Sequence, residues 1–247
     1  VLVHPAMYRK PGNSLQRILY HNNQQLHIYN NADAMKTFRA STRYDWYVID
    51  KTYNGPTAVY FEDSMMHLID LTKTEFLPNG SWNIWNTIHQ IVSPHLSPLK
   101  ISDIVTGDGD YKVVNSITKK EGILTVLTRF SPKYSAEKVI FSESTGLAIY
   151  NDGSLGTTSN CYQFPVRNKE EGEILCRFIH SKLCRHLLES CKWSNFRIER
   201  CIWEYIPNPY DLGMTINDDD EEICQLYNLS IDDYTHVLDF EYGRSRL

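Results

Sequence analysis

Ser41-Thr42-Arg43-Tyr44-Asp45-Trp46-Tyr47-Val48-Ile49-Asp50 begins polar and basic and becomes a run of aromatic and β-branched residues. Such side chains fit a pleated, half-buried surface, so residues 44–50 read as a strong strand entered from a dibasic loop. Working back, Val1–His4 reads as a buried strand stopped by Pro5, and 5–13 as a loop that leaves Arg9 and Lys10 exposed. Leu15, Ile18 and Leu19 recur at helical spacing over 14–22, with Asn13 or Ser14 as the cap. Residues 25–29 alternate as a short strand, and 33–38 make one or two helical turns. Strand, helix, strand, strand is the order of the closing half of an open α/β sheet. The opening half, where a βαβ unit carries a Gly-rich turn, is missing from the sequence, which reads as a chain that starts in mid-domain.

Working forward, Asn54-Gly55-Pro56 is a turn, and residues 57–61 and 67–71 form a hairpin. A helix is expected over 82–91, with Trp82, Trp85 and Ile88 on one side. Prolines 94 and 98 mark a boundary, giving a partial α/β sheet region over 1–92 and an α+β domain over 99–247. In the latter, strands are expected at 111–117, 123–128, 138–141 and 161–166, with a turn-rich loop at 145–158. One long helix is expected over 171–192. Its apolar side holds Leu175, Cys176, Ile179, Leu183, Cys184, Leu187 and Cys191; its polar side holds Arg177, Ser181, Lys182, Arg185, Glu189 and Lys192. Residues 202–206 are a short strand or turn. Helices follow at 219–227 and 231–242, the second capped by Ser230.

The chain of 247 residues is long enough for a sizeable core. A hydrophobic content of 42% with 22% charged residues excludes global disorder. The net charge of −5 argues against a simple basic nucleic-acid binder. That charge is unevenly placed: residues 204–247 hold 11 acids and 2 bases, leaving 23 bases against 19 acids in the rest. The six cysteines lack Cys-x-x-Cys spacing and read as reduced core residues, which predicts an intracellular, cytoplasmic protein. No run long enough for a membrane span or a signal peptide is present.

Chemistry-bearing motifs are sparse. The nine histidines, including His180 and His186, lack metal-ligand spacing. Asp108-Gly109-Asp110 opens like a calcium loop, but no spaced ligands follow, so it reads as a plain loop. No phosphate-cradling Gly-rich motif occurs. Pro207-Asn208-Pro209-Tyr210 superficially resembles the Asn-Pro-Pro-Tyr grip of N6-adenine methyltransferases, but its order is wrong and it reads as a proline-rich connector. Lys192-Trp193-Ser194-Asn195-Phe196-Arg197, followed by Arg200 and Trp203, interleaves bases with aromatics, a composition able to follow phosphates and stack on bases. It equally suits a packed helix end with positive charge near the C-terminus. The same two readings apply to the loop at 37–45.

Taken in order, several segments resemble the C-terminal half of adenine-specific DNA methyltransferases of type II restriction–modification systems and their phage or large-virus relatives. Val1-Leu2-Val3-His4-Pro5-Ala6-Met7-Tyr8-Arg9-Lys10-Pro11 is similar to that family's His-Pro-x-x-Trp-Arg-Lys-Pro segment, with Tyr8 where Trp is common. Residues 38–51 resemble its Ser-Thr-Arg-x-Asp-Trp-Tyr-Val strand, which closes the methyltransferase sheet, and Leu77-Pro78-Asn79 resembles its exit. Residues 139–158, 170–197 and 218–233 resemble, in order, its Tyr-x-Asp-Gly-x-x-Gly-Thr stretch, its Lys-Trp-Ser helix and its closing element. The likeness covers nearly the whole chain.

The resemblance implies the last strands of a Rossmann-like methyltransferase sheet followed by a target-recognition-like α+β domain. Neither the S-adenosylmethionine-binding Gly motif nor the Asn-Pro-Pro-Tyr motif is in this sequence. No cofactor, metal or catalytic residue is therefore assigned, and methyl transfer by this chain alone is not expected; S-adenosylmethionine is implied only for a complete family enzyme. The implied partner is double-stranded DNA, with Arg39, Arg43, Asn151, Thr157, Arg177, Lys182, Arg185, Lys192, Trp193 and Arg197 as contact candidates. A missing catalytic half, or another protein, is expected to cover the N-terminal sheet. The competing readings are a structural or interaction protein, such as a virion component that reuses the fold, and an intact enzyme of which this is one part.

Overall fold

The computed structural model describes residues 2–100, 106–129, 136–194 and 197–239; Val1, Asn195, Phe196 and the expected helix end at 240–242 lie outside them. The chain forms two units, one of Val1–Trp85 with Ser190–Arg197, the other of Asn86–Glu189 with Ile198–Leu247.

In the first unit, Leu2–Pro5 (β1), Asn23–Tyr29 (β2), Tyr44–Ile49 (β3), Thr57–Tyr60 (β4) and Met66–Ile69 (β5) make one sheet in the order β1-β3-β2-β4-β5. The aromatic run read first is thus β3, set between β1 and β2 and antiparallel to both, while β2 and β4 run parallel and β4 and β5 form the expected hairpin. Period-2 alternation sends Leu26, Ile28, Tyr47, Val59 and Ile69 to one face. There they pack with Tyr8, Leu19, Tyr20 and Leu71.

Three local readings change. β1 is an edge strand with Val3 52% exposed, so it is not a buried strand. Residues 6–9 form a 3-10 turn, and Arg9, expected at the surface, is completely buried. Helix α1 (Ser14–Leu19) is capped by Asn13 as expected, but Leu15 and Ile18 are exposed, and its buried side is Gln16 with Leu19. A second helix, α2 (Asn31–Phe38), is capped by Asn30, and α3 spans Trp82–Ile88.

The second unit contains Leu99–Lys100 (β6), Thr106–Thr118 (β7), Gly122–Thr128 (β8), Lys138–Ser142 (β9), Ala148–Asn151 (β10), Gly156–Thr157 (β11) and Cys161–Pro165 (β12). These strands form a sheet β10-β9-β12-β6 and a sheet β11-β7-β8. Val114, Ile117, Ile140 and Cys161 pack together between strands of the two sheets. The segment 145–158, expected as loop, supplies β10 and β11: Ala148–Asn151 pairs along β9, and Gly156–Thr157 runs parallel to β7. Residues 108–110 lie within β7 rather than in a loop, where the register slips between Thr106 and Tyr111.

The expected long helix is two, α4 (Lys169–His180) and α5 (Lys182–Ser190). Ser181 between them is extended, with ψ 159°, and its Oγ accepts from the Cys184 N–H, which caps α5. The apolar stripe survives the break: Leu175, Ile179, Leu183, Cys184, Leu187 and Cys191 are all buried. Residues 200–205 form a 3-10 helix. Asp219, expected as the first residue of its helix, is instead the cap of α6 (Asp220–Leu226), in a capping box with Glu222, while α7 (Ile231–Asp239) carries its expected cap, Ser230 bonding the Asp233 N–H.

Candidate nucleic-acid interface

Five segments far apart in sequence meet in one network of the first unit. The Arg9 Nε–H donates to Asp45 Oδ2 at 2.7 Å, with both side chains fully buried. The rest of the Arg9 fork donates to the carbonyls of Leu77 and Pro78 and to Asn79 Oδ1. Asn79 in turn donates through Nδ2 to the Lys192 carbonyl, and the Trp193 indole N–H donates to the Leu77 carbonyl at 2.7 Å. Arg43 completes the ring, donating to Glu62 Oε1 at 2.8 Å and to the Lys192 carbonyl at 2.6 Å. A planar guanidinium with five donors suits such a fork of carbonyls and one carboxylate.

Burial dominates the electrostatics here. It raises the Asp45 carboxyl more than Arg9 lowers it, and it raises Glu62 against the pull of Arg43. Tyr8 is pushed well up by burial and by the charge of Asp45, so its hydroxyl stays protonated. Sequence reading missed Arg9 and Asn79 as the hub. The available signal was Asp45, which alternates onto the same face as the core residue Tyr47 and needs a buried cation there.

Five DNA-contact candidates belong to this unit and five to the other. In the first, Arg39 is exposed at the C-cap of α2 with φ 56°, and Arg197 is exposed. Arg43 is half-buried and engaged as described, while Lys192 and Trp193 are buried. The side chains of Lys192 and Trp193 are therefore core, and the positive-aromatic pattern that suggested base stacking is here a packed chain return. Trp193 stands edge-on to Phe76 with centroids 6.0 Å apart.

In the second unit, Asn151 and Thr157 are buried. Asn151 Oδ1 accepts from the N–H groups of Gly153 and Leu155, which folds its own turn, and Thr157 Oγ1 accepts from Gln163. These two shape the loop from inside. Lys182 and Arg185 are exposed on the outer side of α5, three residues apart, and Arg177 is half-buried on α4. Because Ser181 separates the helices, the six-residue polar stripe expected along one continuous helix is broken at a fully buried serine. Asp220 Oδ1 accepts from the Lys182 N–H at 2.9 Å, which sets the acidic start of α6 beside the start of α5.

Among the described residues the positive-φ glycines Gly12, Gly122, Gly146, Gly153 and Gly213 each stand singly in the sequence. No cluster of three metal-ligating side chains occurs among the described residues, and no helix among them is long and apolar enough to cross a membrane. Pro207-Asn208-Pro209-Tyr210 is a connector held from inside. Asn208 Nδ2 donates to Glu171, Tyr227 Oη donates to the Pro207 carbonyl, and Tyr210 lies under the Arg167 guanidinium. No model of a known protein family matches the sequence, and no curated protein matches it.

Proposed function

We propose that the chain is the DNA-recognition part of an adenine-specific DNA methyltransferase, with a target-recognition-like second unit and without cofactor or catalytic motifs of its own. The observation that carries this reading is the convergence of the segments on which the resemblance rests. Tyr8-Arg9-Lys10-Pro11, Ser41–Val48, Leu77-Pro78-Asn79 and Lys192-Trp193 are joined by the Arg9–Asp45–Asn79 network. Under the resemblance β3 closes the methyltransferase sheet, and it sits here between two co-directional strands. Contact with duplex DNA falls to the exposed cations Arg39, Lys182, Arg185 and Arg197, with Arg177 beside them in sequence. Phosphate contacts position a protein on DNA and do not by themselves read sequence.

A mobility assay on duplex DNA at low and high salt tests the reading. Binding at low salt that weakens steeply with added salt is expected, because neutralised phosphates release counterions. No binding at low salt would overturn it. Label from the methyl donor should not enter DNA with this chain alone. The second reading, an interaction protein that reuses the fold, is favoured by the uncharged outer face of the first sheet.

A further inference from the structure

We infer that the outer face of the five-stranded sheet is a twofold interface that pairs this chain with a second copy of itself. The register aligns Val3, Trp46, His27, Tyr60 and Met66 in one row across all five strands. In it His27 lies flat between Trp46, centroids 3.8 Å apart, and Tyr60, 4.1 Å apart. Rings stacked this way stand on edge, so the row is a raised ridge in which both faces of His27 and one face each of Trp46 and Tyr60 are covered. The neighbouring row on the same face, Val48, Gln25, Ala58 and Leu68, is made of shorter side chains. It forms a trough alongside the ridge.

No residue of either row carries an acid, a Lys or an Arg, and burial between the rings lowers the His27 pKa, which keeps the ridge neutral. Phosphates or anionic headgroups find no cation here, and both faces of His27 are already taken by Trp46 and Tyr60. A second copy fits. A twofold axis lying parallel to the rows and between them sets each ridge against the other copy's trough, at the roughly 10 Å spacing of stacked sheets. Neutral faces meet without like-charge repulsion.

The exposed apolar area also suffices. Val3 is 52%, Met66 49%, Leu68 67% and Tyr60 37% exposed. Adding the half-buried members of both rows gives roughly 500 Å² per copy at about 150–250 Å² for a large side chain. A pair then covers about 1,000 Å², the lower bound of specific interfaces. Helix α2 covers only the end of this face, where Phe38 stands edge-on to Tyr44.

Sedimentation velocity of the full chain from about 1 to 100 μM reads the proposal directly, since an interface this small belongs to the weak class. The wild type should pass from monomer to dimer across that range. Leu68→Lys and Met66→Lys, both at exposed positions, should weaken the dimer at least tenfold with unchanged urea unfolding. Ile231→Lys, 82% exposed in the other unit, should leave the dimer intact. A wild type that stays monomeric throughout, as expected if a foreign protein covers the face, overturns the proposal. So does a dimer indifferent to Leu68→Lys and Met66→Lys.

Discussion

Arg9 and Asp45 bind the first unit together from inside, and the cost of breaking the pair exceeds what the pair contributes. Two charges removed from water are held by each other and by the carbonyls of Leu77 and Pro78. Removing one partner leaves the other buried and uncompensated. Asp45→Asn should therefore destabilise the unit by about 3–5 kcal/mol in urea denaturation, whereas Arg185→Ala, on the exposed side of α5, should stay within about 0.5 kcal/mol. A second prediction concerns His186, which is fully buried and held at a pKa of about 3, mainly by burial and then by His236. An unfolded histidine takes up its proton near pH 6.5. Between those values the unfolded chain binds one more proton, so this contribution is complete above pH 6.5 and is lost as pH falls, by about 1.4 kcal/mol per pH unit. His186→Gln should flatten the stability–pH curve between pH 6.5 and about 3 relative to wild type. The sequence made only half of this legible. Asp45 shares the buried side of its strand by simple alternation, but nothing local to Arg9, beside Lys10 and Pro11, says that its partner lies 36 residues on.

At the scale of elements, end signals were easier to read than continuity. Asn13 and Ser230 cap the helices that the sequence assigns to them, because a side-chain oxygen bonding a free N–H acts within three residues. The joint between α4 and α5 was invisible to periodicity, since the buried stripe keeps its spacing through Ser181 and a break that preserves the stripe leaves no mark on it. Ser181 itself was the clue, as serine favours caps over helix interiors. Ser181→Ala should cost about 1 kcal/mol, read from the denaturation midpoint, by removing the bond to the Cys184 N–H. β10 and β11 were hidden for another reason. Gly146, Asn151-Asp152-Gly153 and Gly156 read as turns, yet Asn151 closes β10 and Gly156 opens β11: β10 folds back on the neighbouring β9 as a hairpin, and the two-residue β11 is a strand only because it pairs with β7, which is distant in sequence.

On the scale of the whole molecule, charge and burial together narrow the candidate site. The mildly basic residues 1–203 and the acidic residues 204–247 were plain from the sequence. Exposure was not: of the ten candidates, Asn151, Thr157, Lys192 and Trp193 are core residues. Lys192 looked like the end of a cationic helix side, yet the chain turns inward there, and its carbonyl holds Arg43 and Asn79. Lys182 and Arg185 remain on the surface of α5 as the pair that most directly tests recognition of DNA. The decisive measurement is the slope of log affinity for duplex DNA against log salt, for the wild type and for Lys182→Ala with Arg185→Ala. Loss of two phosphate contacts should make the slope shallower by about 1.8, at about 0.9 per contact, with unfolding unchanged. A double variant that keeps the wild-type slope and affinity, or a wild type with no salt-dependent binding at all, would contradict the DNA-recognition account.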